Sequence, residues 1–402
     1  MKKISFSPPD VSELEIQNVA EVLRSGWMTT GPKTKELERK LAEYVGVNKV
    51  VCLNSATAAL EMALRILGIG PGDEVITCAY TYTASASVIE HVGAKIVLVD
   101  CQTDNIQIDY DAIEMAITEK TKAIIPVDLA GIPCDYEKIF NIVESKRGLF
   151  KAADNKLQKA IGRIVVLADA AHAIGASYKG KMVGSVADFT AFSFHAVKNF
   201  TTGEGGALAW NSITGIDDAE IYDFLQLYSL HGQNKDALSK DASNCWEYDI
   251  IGTWYKCNMT DIMAGIGLAQ LERYQGMLDR RRACIEKYDA ALRPLGVQTL
   301  EHFNKDYTSN GHLYITRIPG ISDGRRREII IKMAEAGITT NVHYKPLPML
   351  TAYKNLGFDI EDFPNAEAFY ENEITLPLYS RLTEEEVDYI IDNYTAILKE
   401  YL

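Results

Sequence analysis

From about residue 50, short runs of apolar and β-branched residues alternate with longer amphipathic stretches. The short runs predict buried strands and the amphipathic stretches predict helices, because the two elements bury side chains with different periods. This alternation is typical of an α/β fold, in which helices cover both faces of a mainly parallel sheet. The predicted strands lie at 50–53, 74–78, 95–99, 122–127, 163–168, 187–192 and 207–210, and predicted helices include 58–67, 109–117 and 135–144.

The two ends of the chain differ from this central region. Two amphipathic helices are predicted at 11–24 and 34–44, joined by a linker at 25–32 with the sequence SGWMTTGP. After residue 260 the pattern predicts helices at 261–274, 279–292, 325–336 and 384–399, and a strand at 312–317. We therefore expect a large α/β domain at 1–260 and a smaller α+β domain at 261–402. The stretches 146–163 and 233–248 are expected to be surface excursions, and the second contains Trp246 and Tyr248.

Composition and charge narrow the functional classes. The 402 residues are 47% hydrophobic and 24% charged, which is typical of a globular protein. The formal net charge of −14 and the lack of a long basic run argue against a nucleic-acid partner. The arginine triplets at 280–282 and 325–327 are expected to lie on solvated helix faces.

Cysteine spacing and apolar run length predict the compartment. The seven cysteines form no Cys-x-x-Cys pair, which favours free thiols in a reducing compartment and no metal site. The first ten residues lack the apolar core of a signal peptide, and no apolar run reaches membrane-spanning length. We expect a cytoplasmic protein without a membrane partner.

The segment 192–206 (FSFHAVKNFTTGEGG) places Lys198 between apolar residues and a glycine-rich turn. Burial disfavours the charged ammonium group and lowers its pKa, which leaves an amine able to form an imine with an aldehyde such as pyridoxal phosphate. A surface lysine in a glycine-rich loop fits this segment equally well. The neighbouring motifs are therefore needed to separate the two interpretations.

Two further motifs follow predicted strands. The segment 54–60 (NSATAAL) opens a helix, where backbone N–H groups and hydroxyls can bind a phosphate, although an ordinary helix cap gives the same pattern. The segment 167–172 (LADAAH) places Asp169 at the carboxyl end of a strand, where α/β sheets bind ligands. A buried carboxylate needs a cationic partner, and a protonated pyridine nitrogen is a suitable one. Asp169 as a structural cap and His172 as a core histidine remain alternatives.

Taken in order, these motifs and the segment 255–261 (YKCNMTD) resemble the DegT/DnrJ/EryC1/StrS family of PLP-dependent sugar aminotransferases. The resemblance extends from the linker at 25–32 to the segment 376–378 (LPL), so it covers nearly the whole chain. It implies the fold of PLP-dependent transferases of the aspartate aminotransferase type I, with pyridoxal 5′-phosphate (PLP) as the cofactor. The segment 146–163 is longer than the family usually shows there.

The resemblance also implies roles for single residues. Lys198 would form the internal aldimine with PLP and later move the reacting proton, and Asp169 would hold the pyridinium nitrogen. Tyr82 would stack on the cofactor ring, His172 would lie next to it, and Asn258 would reach the phosphate from the neighbouring subunit of an obligatory homodimer. Phosphate contacts are implied for Ala56, Thr57 and Ser193, and substrate contacts for Thr29, Thr30, His195, His343 and Tyr344.

The implied reaction is amino transfer from glutamate, which leaves as 2-oxoglutarate, to a nucleotide-linked keto-sugar with ping-pong kinetics. The motifs are most similar to those of enzymes that aminate C4 of UDP-linked sugars, including those that make UDP-4-amino-4-deoxy-L-arabinose. A 3-keto dTDP-sugar is the competing substrate. The related 3-dehydratases have histidine in place of the lysine, so Lys198 argues against them. The intact Lys198 and Asp169 argue against a non-catalytic regulator.

Overall fold

The computed structural model describes residues 2–234 and 247–401, and these residues form one large and two small sheets surrounded by helices. The strands are β1 (Val50–Leu53), β2 (Glu74–Cys78), β3 (Lys95–Val99), β4 (Thr121–Ile125), β5 (Val165–Asp169), β6 (Ser177–Tyr178), β7 (Lys181–Met182), β8 (Phe189–Ser193), β9 (Gly206–Trp210), β10 (Gln298–Thr299), β11 (Tyr307–Thr308), β12 (Tyr314–Arg317) and β13 (Glu373–Leu376).

The large sheet has seven strands in the order β1-β9-β8-β5-β4-β2-β3. It is mainly parallel, and only β9 runs antiparallel to its neighbours β1 and β8. Nearly every residue of these strands is buried, because helices cover both faces of the sheet. The predicted α/β fold is confirmed. The strand predicted at 122–127 ends earlier, at Ile125, because Pro126 has no N–H to continue the hydrogen-bonded ladder.

The helices lie between and around these strands. They are α1 (Glu13–Ser25), α2 (Pro32–Val45), α3 (Ala56–Ile66), α4 (Ala84–His91), α5 (Tyr110–Ala116), α6 (Tyr136–Ser145), α7 (Lys156–Ile161), α8 (Asp218–Ser229), α9 (Asp261–Leu292), α10 (Asp323–Glu335), α11 (Thr351–Asn355), α12 (Pro364–Asn372) and α13 (Glu384–Leu398).

One helix differs from its prediction. The two helices predicted at 261–274 and 279–292 are a single 32-residue helix, α9. Gly276 lies in the expected break, and among the described residues nothing beyond its chain neighbours and its own helix backbone lies within 4 Å of where a Cβ would be. The next residue, Met277, is nevertheless buried in the core. Packing on both sides of the glycine therefore offsets its low helix propensity.

The carboxyl-terminal part of the chain has its own apolar cluster and a three-stranded antiparallel sheet in the order β10-β12-β13. This cluster contains Cys284, Tyr288 and Leu292 from the second half of α9, whereas Leu268 and Tyr274 from its first half belong to a cluster beside the large sheet. Because α9 contributes to both clusters, the domain boundary between residues 260 and 261 stays a prediction.

The expected surface features are partly wrong. Arg281 and Arg326, from the two arginine triplets, are each only 3% exposed. Arg281 Nη1 donates to the carbonyls of Gly311 at 3.2 Å and Leu378 at 2.9 Å, so this guanidinium links backbone segments instead of meeting solvent. The stretch 146–163 is not a plain loop, because it contains α7, which buries Leu157.

The structure describes only part of the stretch 233–248. Residues 235–246, including Trp246, lie outside the described residues, whereas Tyr248 is described and exposed. The six cysteines within the described ranges are free and buried. Over residues 2–234 and 247–401, no helix has both the length and the apolar character needed to cross a bilayer.

Candidate active site

The candidate site lies at the carboxyl edge of the large sheet. Asp169 ends β5 and Ser193 ends the adjacent parallel strand β8, so both side chains emerge at the same edge. The amino terminus of α3 meets this edge at Gly206, the first residue of β9. A Cβ at Gly206 would lie 2.4 Å from the Ala56 nitrogen, so only glycine lets the helix start this close to the strand.

The amino terminus of α3 has the form of an anion site. Ser55 caps the helix by accepting the Ala58 N–H at 3.1 Å. The N–H groups of Ala56 and Thr57 form no hydrogen bond with any residue in the described ranges, and the positive end of the helix dipole adds to their attraction for an anion. Ser193, also expected at the phosphate, is only 8% exposed and lies at the same sheet edge. These positions fit a bound phosphate.

Asp169 is a buried carboxylate supported by two donors. Its Oδ2 accepts the Ser85 hydroxyl at 2.7 Å and its Oδ1 accepts the Ala171 N–H at 3.1 Å. Burial raises the pKa of Asp169, whereas the two hydrogen bonds and the charge of Lys198 lower it. Because burial outweighs these three effects, a cation beside Asp169 would stabilise its ionised form.

Lys198 lies in the turn after β8. Its backbone N–H donates to the His195 carbonyl at 2.9 Å, and the Thr202 N–H donates to the Phe194 carbonyl, so the turn is closed on itself. The side chain keeps some exposed surface, but its amino end is deeply enclosed. Burial lowers the pKa of Lys198 to about 8, and the negative charge of Asp169 opposes this effect. The lowered pKa favours the enclosed-lysine interpretation over a surface lysine, because the neutral, nucleophilic form of the amine is accessible near neutral pH.

His172 is held in one tautomer by two neighbours. Its Nδ1 accepts the backbone N–H of Ala130 at 3.2 Å, so Nε2 carries the proton and donates to the Tyr344 hydroxyl, also at 3.2 Å. Burial lowers the pKa of His172 well below its usual value, and the nearby charge of Lys198 acts in the same direction. The ring of His312 lies 4.2 Å from that of His172, centroid to centroid.

The aromatic residues expected near the substrate and the cofactor lie together. The ring centroids of Tyr82 and Tyr344 are 5.8 Å apart, and Tyr82 is 60% exposed, so its side chain is accessible to a planar ligand. His343 stacks on Phe6 at 5.4 Å, and its Nδ1 lies 3.0 Å from the Thr375 hydroxyl. Burial, and then the charge of Lys198, lower the pKa of His343 to about 3.

Asn258 and Thr30 form a separate cluster. Asn258 Nδ2 donates to Thr30 Oγ1 at 2.5 Å, Thr30 Oγ1 donates to the Met259 carbonyl at 2.5 Å, and Lys256 donates to Asn258 Oδ1. Asn258 also forms a backbone bridge with Leu53, at the end of β1, so it lies close to the start of α3 within its own chain. Its contact with the phosphate of a neighbouring subunit stays a prediction.

For two of the expected substrate residues, Thr29 and His195, no hydrogen bond or ion pair within the described residues joins the side chain to the amine of Lys198. The Thr29 carbonyl accepts the Asp261 N–H at 3.1 Å, which ties the linker to the start of α9. His195 is exposed, and its Nε2 lies 3.6 Å from Glu204 Oε1. The substrate roles of Thr29, Thr30 and His195 stay predictions.

The site contains residues that the sequence did not single out. Ser85 supports Asp169, and Thr81 Oγ1 lies 3.0 Å from the Ser85 hydroxyl. The side-chain amide of Asn310 donates to the His172 carbonyl at 2.6 Å. The backbone carbonyl of Asn310 accepts a hydrogen bond from the side-chain amide of Asn199 at 2.8 Å. Asn199 directly follows Lys198 and could have been found from that position. Ser85 and Asn310 carry no comparable sequence signal.

These residues fit PLP. Asp169 can pair with a protonated ring nitrogen, the start of α3 can hold a phosphate, and Lys198 can supply an amine for the aldehyde. Among the residues at 2–234 and 247–401, no group of three or more His, Cys, Asp or Glu side chains could hold a metal ion.

Comparison with known proteins agrees with this geometry. The chain is 38% identical over 400 residues to the spore coat polysaccharide biosynthesis protein SpsC of Bacillus subtilis (strain 168), covering 98% of this chain and 97% of that protein. The structure matches the PMP form of the putative sugar aminotransferase Spr1654 from Streptococcus pneumoniae with a TM-score of 0.97, 58% identity and coverage of 100% of both chains. It also matches Helicobacter pylori PseC, an aminotransferase involved in the biosynthesis of pseudoaminic acid, with a TM-score of 0.86, 29% identity and coverage of 99% and 100%.

The family model with the description DegT/DnrJ/EryC1/StrS aminotransferase family matches residues 9–395, nearly the whole chain. The aminotransferases of this family depend on PLP, and one solved form of Spr1654, 57% identical to this chain, is a PLP form. The family and the cofactor expected from the sequence are thereby confirmed. The chain belongs to the DegT/DnrJ/EryC1/StrS aminotransferase family.

Proposed function

We propose that this protein transfers an amino group from glutamate to the keto group of a nucleotide-linked sugar. The observation that carries the proposal is the arrangement of Lys198 and Asp169 at one sheet edge, beside the anion site at the start of α3. An amine with a lowered pKa, a buried carboxylate and a phosphate site are the three groups that PLP-dependent amino transfer needs.

The residues have distinct tasks in this reaction. When bound, PLP supplies an electron sink for the carbon that gains or loses the amino group. Asp169 would pair with the ring nitrogen and favour its protonated form, and Ser85 holds the carboxylate in place with a hydrogen bond of 2.7 Å. Lys198 would hold the cofactor through its amine at rest, and otherwise this amine would act as the base and acid that moves the proton at the reacting carbon. Its lowered pKa suits both tasks, because each protonation state is accessible near neutral pH.

The two substrates use the same site in turn. Glutamate enters first and leaves as 2-oxoglutarate, after which the keto-sugar accepts the amino group. This order requires ping-pong kinetics, and a strictly sequential pattern would contradict the proposal.

The sugar substrate is proposed from the sequence motifs and from the relatives. The relatives are a putative sugar aminotransferase, a protein of spore coat polysaccharide biosynthesis and an aminotransferase of pseudoaminic acid biosynthesis, which supports a sugar as the amino acceptor. We favour a UDP-linked 4-keto-sugar because the motifs at 25–32, 54–58 and 194–199 are most similar to those of enzymes that aminate C4. A 3-keto dTDP-sugar is the second candidate.

We also propose a cytoplasmic homodimer in which Asn258 of one protomer reaches the cofactor phosphate of the other. Mixing inactive Lys198→Ala and Asn258→Ala protomers tests this arrangement. If the sites are shared, each mixed dimer has one intact site, and about a quarter of the wild-type activity returns. If each chain uses its own Asn258, no activity returns.

Borohydride reduction of the PLP-loaded enzyme, followed by peptide mapping, tests the assignment of Lys198. The label is expected on Lys198, and an unlabelled Lys198 would overturn the proposal. In a separate sample that has not been reduced, glutamate should shift the cofactor absorbance to that of the pyridoxamine form. If it does not, a non-catalytic regulator is the better interpretation. Amine formation on a panel of UDP-linked 4-keto-sugars and dTDP-linked 3-keto-sugars separates the two substrate candidates.

A further inference from the structure

Three buried side chains form a hydrogen-bonded chain beside the candidate active site. Glu373 and Thr375 lie on the same face of β13, and both are fully buried. The Thr375 hydroxyl contacts Glu373 Oε1 and lies 3.0 Å from His343 Nδ1. The second carboxylate oxygen, Oε2, accepts the backbone N–H of His343 at 3.0 Å. The carboxylate of Glu373 therefore holds His343 directly and also through the hydroxyl.

His343 connects this chain to the site. Its carbonyl accepts the Tyr80 hydroxyl at 2.9 Å, and the next residue, Tyr344, contacts His172. Its second ring nitrogen, Nε2, forms no hydrogen bond with a residue at 2–234 or 247–401, so this nitrogen is free to meet a ligand. The lowered pKa of His343, about 3, keeps the ring neutral at working pH.

The protons in this chain can be arranged in only two ways. A neutral imidazole carries one proton, and a threonine hydroxyl donates only one. When Glu373 is ionised, Thr375 donates to the carboxylate, so His343 Nδ1 must carry the ring proton and Nε2 is an acceptor. When Glu373 is protonated, it donates to Thr375, which donates to His343 Nδ1, so Nε2 carries the proton and is a donor.

We propose that Glu373 and Thr375 are positioning residues that set the tautomer of His343 and so decide whether Nε2 offers the substrate a hydrogen-bond acceptor or a donor. The partner of Nε2 is a hydroxyl group of the sugar, and this identification rests on the proposed function. The coupling between Glu373 and the His343 tautomer does not rest on it.

The two arrangements interchange within the working pH range. Burial raises the pKa of Glu373 to about 8, whereas the Thr375 hydroxyl, the His343 N–H and the charge of Arg326 on α10 oppose this effect. A carboxyl group loses its proton as the pH rises through its pKa, so Nε2 is a donor below about pH 8 and an acceptor above it. The other titratable or charged side chains near this carboxylate are Tyr80, Tyr344, Tyr394 on α13 and Arg317 on the adjacent strand β12.

The test is nitrogen NMR of the PLP-loaded enzyme with 15N-labelled histidine, recorded between about pH 6.5 and 9.5, where the two tautomers give different patterns. The chain has seven histidines, and a His343→Gln variant assigns the signal. We expect the wild-type His343 to change tautomer with a midpoint near pH 8. Glu373→Gln should keep the proton on Nε2 throughout, because its amide donates to Thr375 at every pH. Thr375→Ser should behave as the wild type and Thr375→Val should lose the coupling.

One tautomer across the whole range in the wild type, or a Glu373→Gln variant that titrates as the wild type does, would overturn the proposal. The signals of the other histidines report whether each variant is folded. As a second readout, Thr375→Val should raise the KM for the keto-sugar about 10-fold, with Thr375→Ser within about twofold of the wild type. If no keto-sugar is aminated, the proposed function fails, whereas the NMR result still decides the coupling.

Discussion

The hydroxyl of Ser85 gives the sharpest test of how the site holds its cofactor. It donates to Asp169 at 2.7 Å, and both side chains are buried, with exposures of 0% and 4%. Ser85→Ala removes this donor and leaves the carboxylate with the single Ala171 N–H. Because the Ser85 hydrogen bond lowers the pKa of Asp169, its loss raises that pKa further and weakens the pairing with the protonated ring nitrogen.

The expected size of the effect follows from the charge of the acceptor. A hydrogen bond to a charged group contributes about 1.5–3 kcal/mol, which corresponds to a loss of about 10- to 150-fold in PLP affinity. Titration of the apoprotein with PLP, followed by absorbance, measures this loss. The matched control is Ser87→Ala, because Ser87 is on the same helix, is partly buried, and its hydroxyl bonds no residue in the described ranges. Equal PLP affinity of the two variants would refute the role given to Ser85.

Two further predictions concern pH and stability. The rate at which the apoprotein captures PLP should rise with pH, with a midpoint near pH 8. The neutral amine of Lys198 is the reacting form, and it becomes protonated as the pH falls below that value. A midpoint near 10.5, the ordinary value for lysine, measured by stopped-flow absorbance, would contradict the burial argument. Asp261→Asn should lower the free energy of unfolding by about 2–3 kcal/mol. The buried carboxylate of Asp261 accepts four hydrogen bonds from residues at the start of α2, and the single oxygen of an amide cannot replace both carboxylate oxygens. Urea denaturation measures this loss, with Asp279→Asn, an exposed position on the same helix, as the control. Equal free energies of unfolding for the two variants would show that the hydrogen bonds to Asp261 do not stabilise the fold.

Much of the large sheet could be predicted from the sequence because its strands are buried on both faces and appear as continuous apolar runs. Lys198 and Asp169 could be found for a related reason, since each follows such a run at the edge where parallel strands end. Strand β13, which carries Glu373, was not predicted, because its buried glutamate and threonine interrupt the apolar pattern.

The site residues that could not be predicted from the sequence are defined by contacts between distant parts of the chain. Ser85 and Asp169 are 84 residues apart, and Asn310 and His172 are 138 residues apart. Local periodicity carries no information about such pairs. Arg281 shows the same limit, because an arginine triplet in a helix looks solvated until the backbone carbonyls that accept its hydrogen bonds are known.

The unbroken helix α9 restricts how the carboxyl-terminal part of the chain can move. A helix of 32 residues is a rod of about 48 Å, and this one has α1 and α2 packed against it together with α13. A rotation of the carboxyl-terminal cluster would therefore be transmitted along the rod to residues 13–45. If the carboxyl-terminal part moves when a bulky substrate binds, α1 and α2 should therefore be displaced together with it.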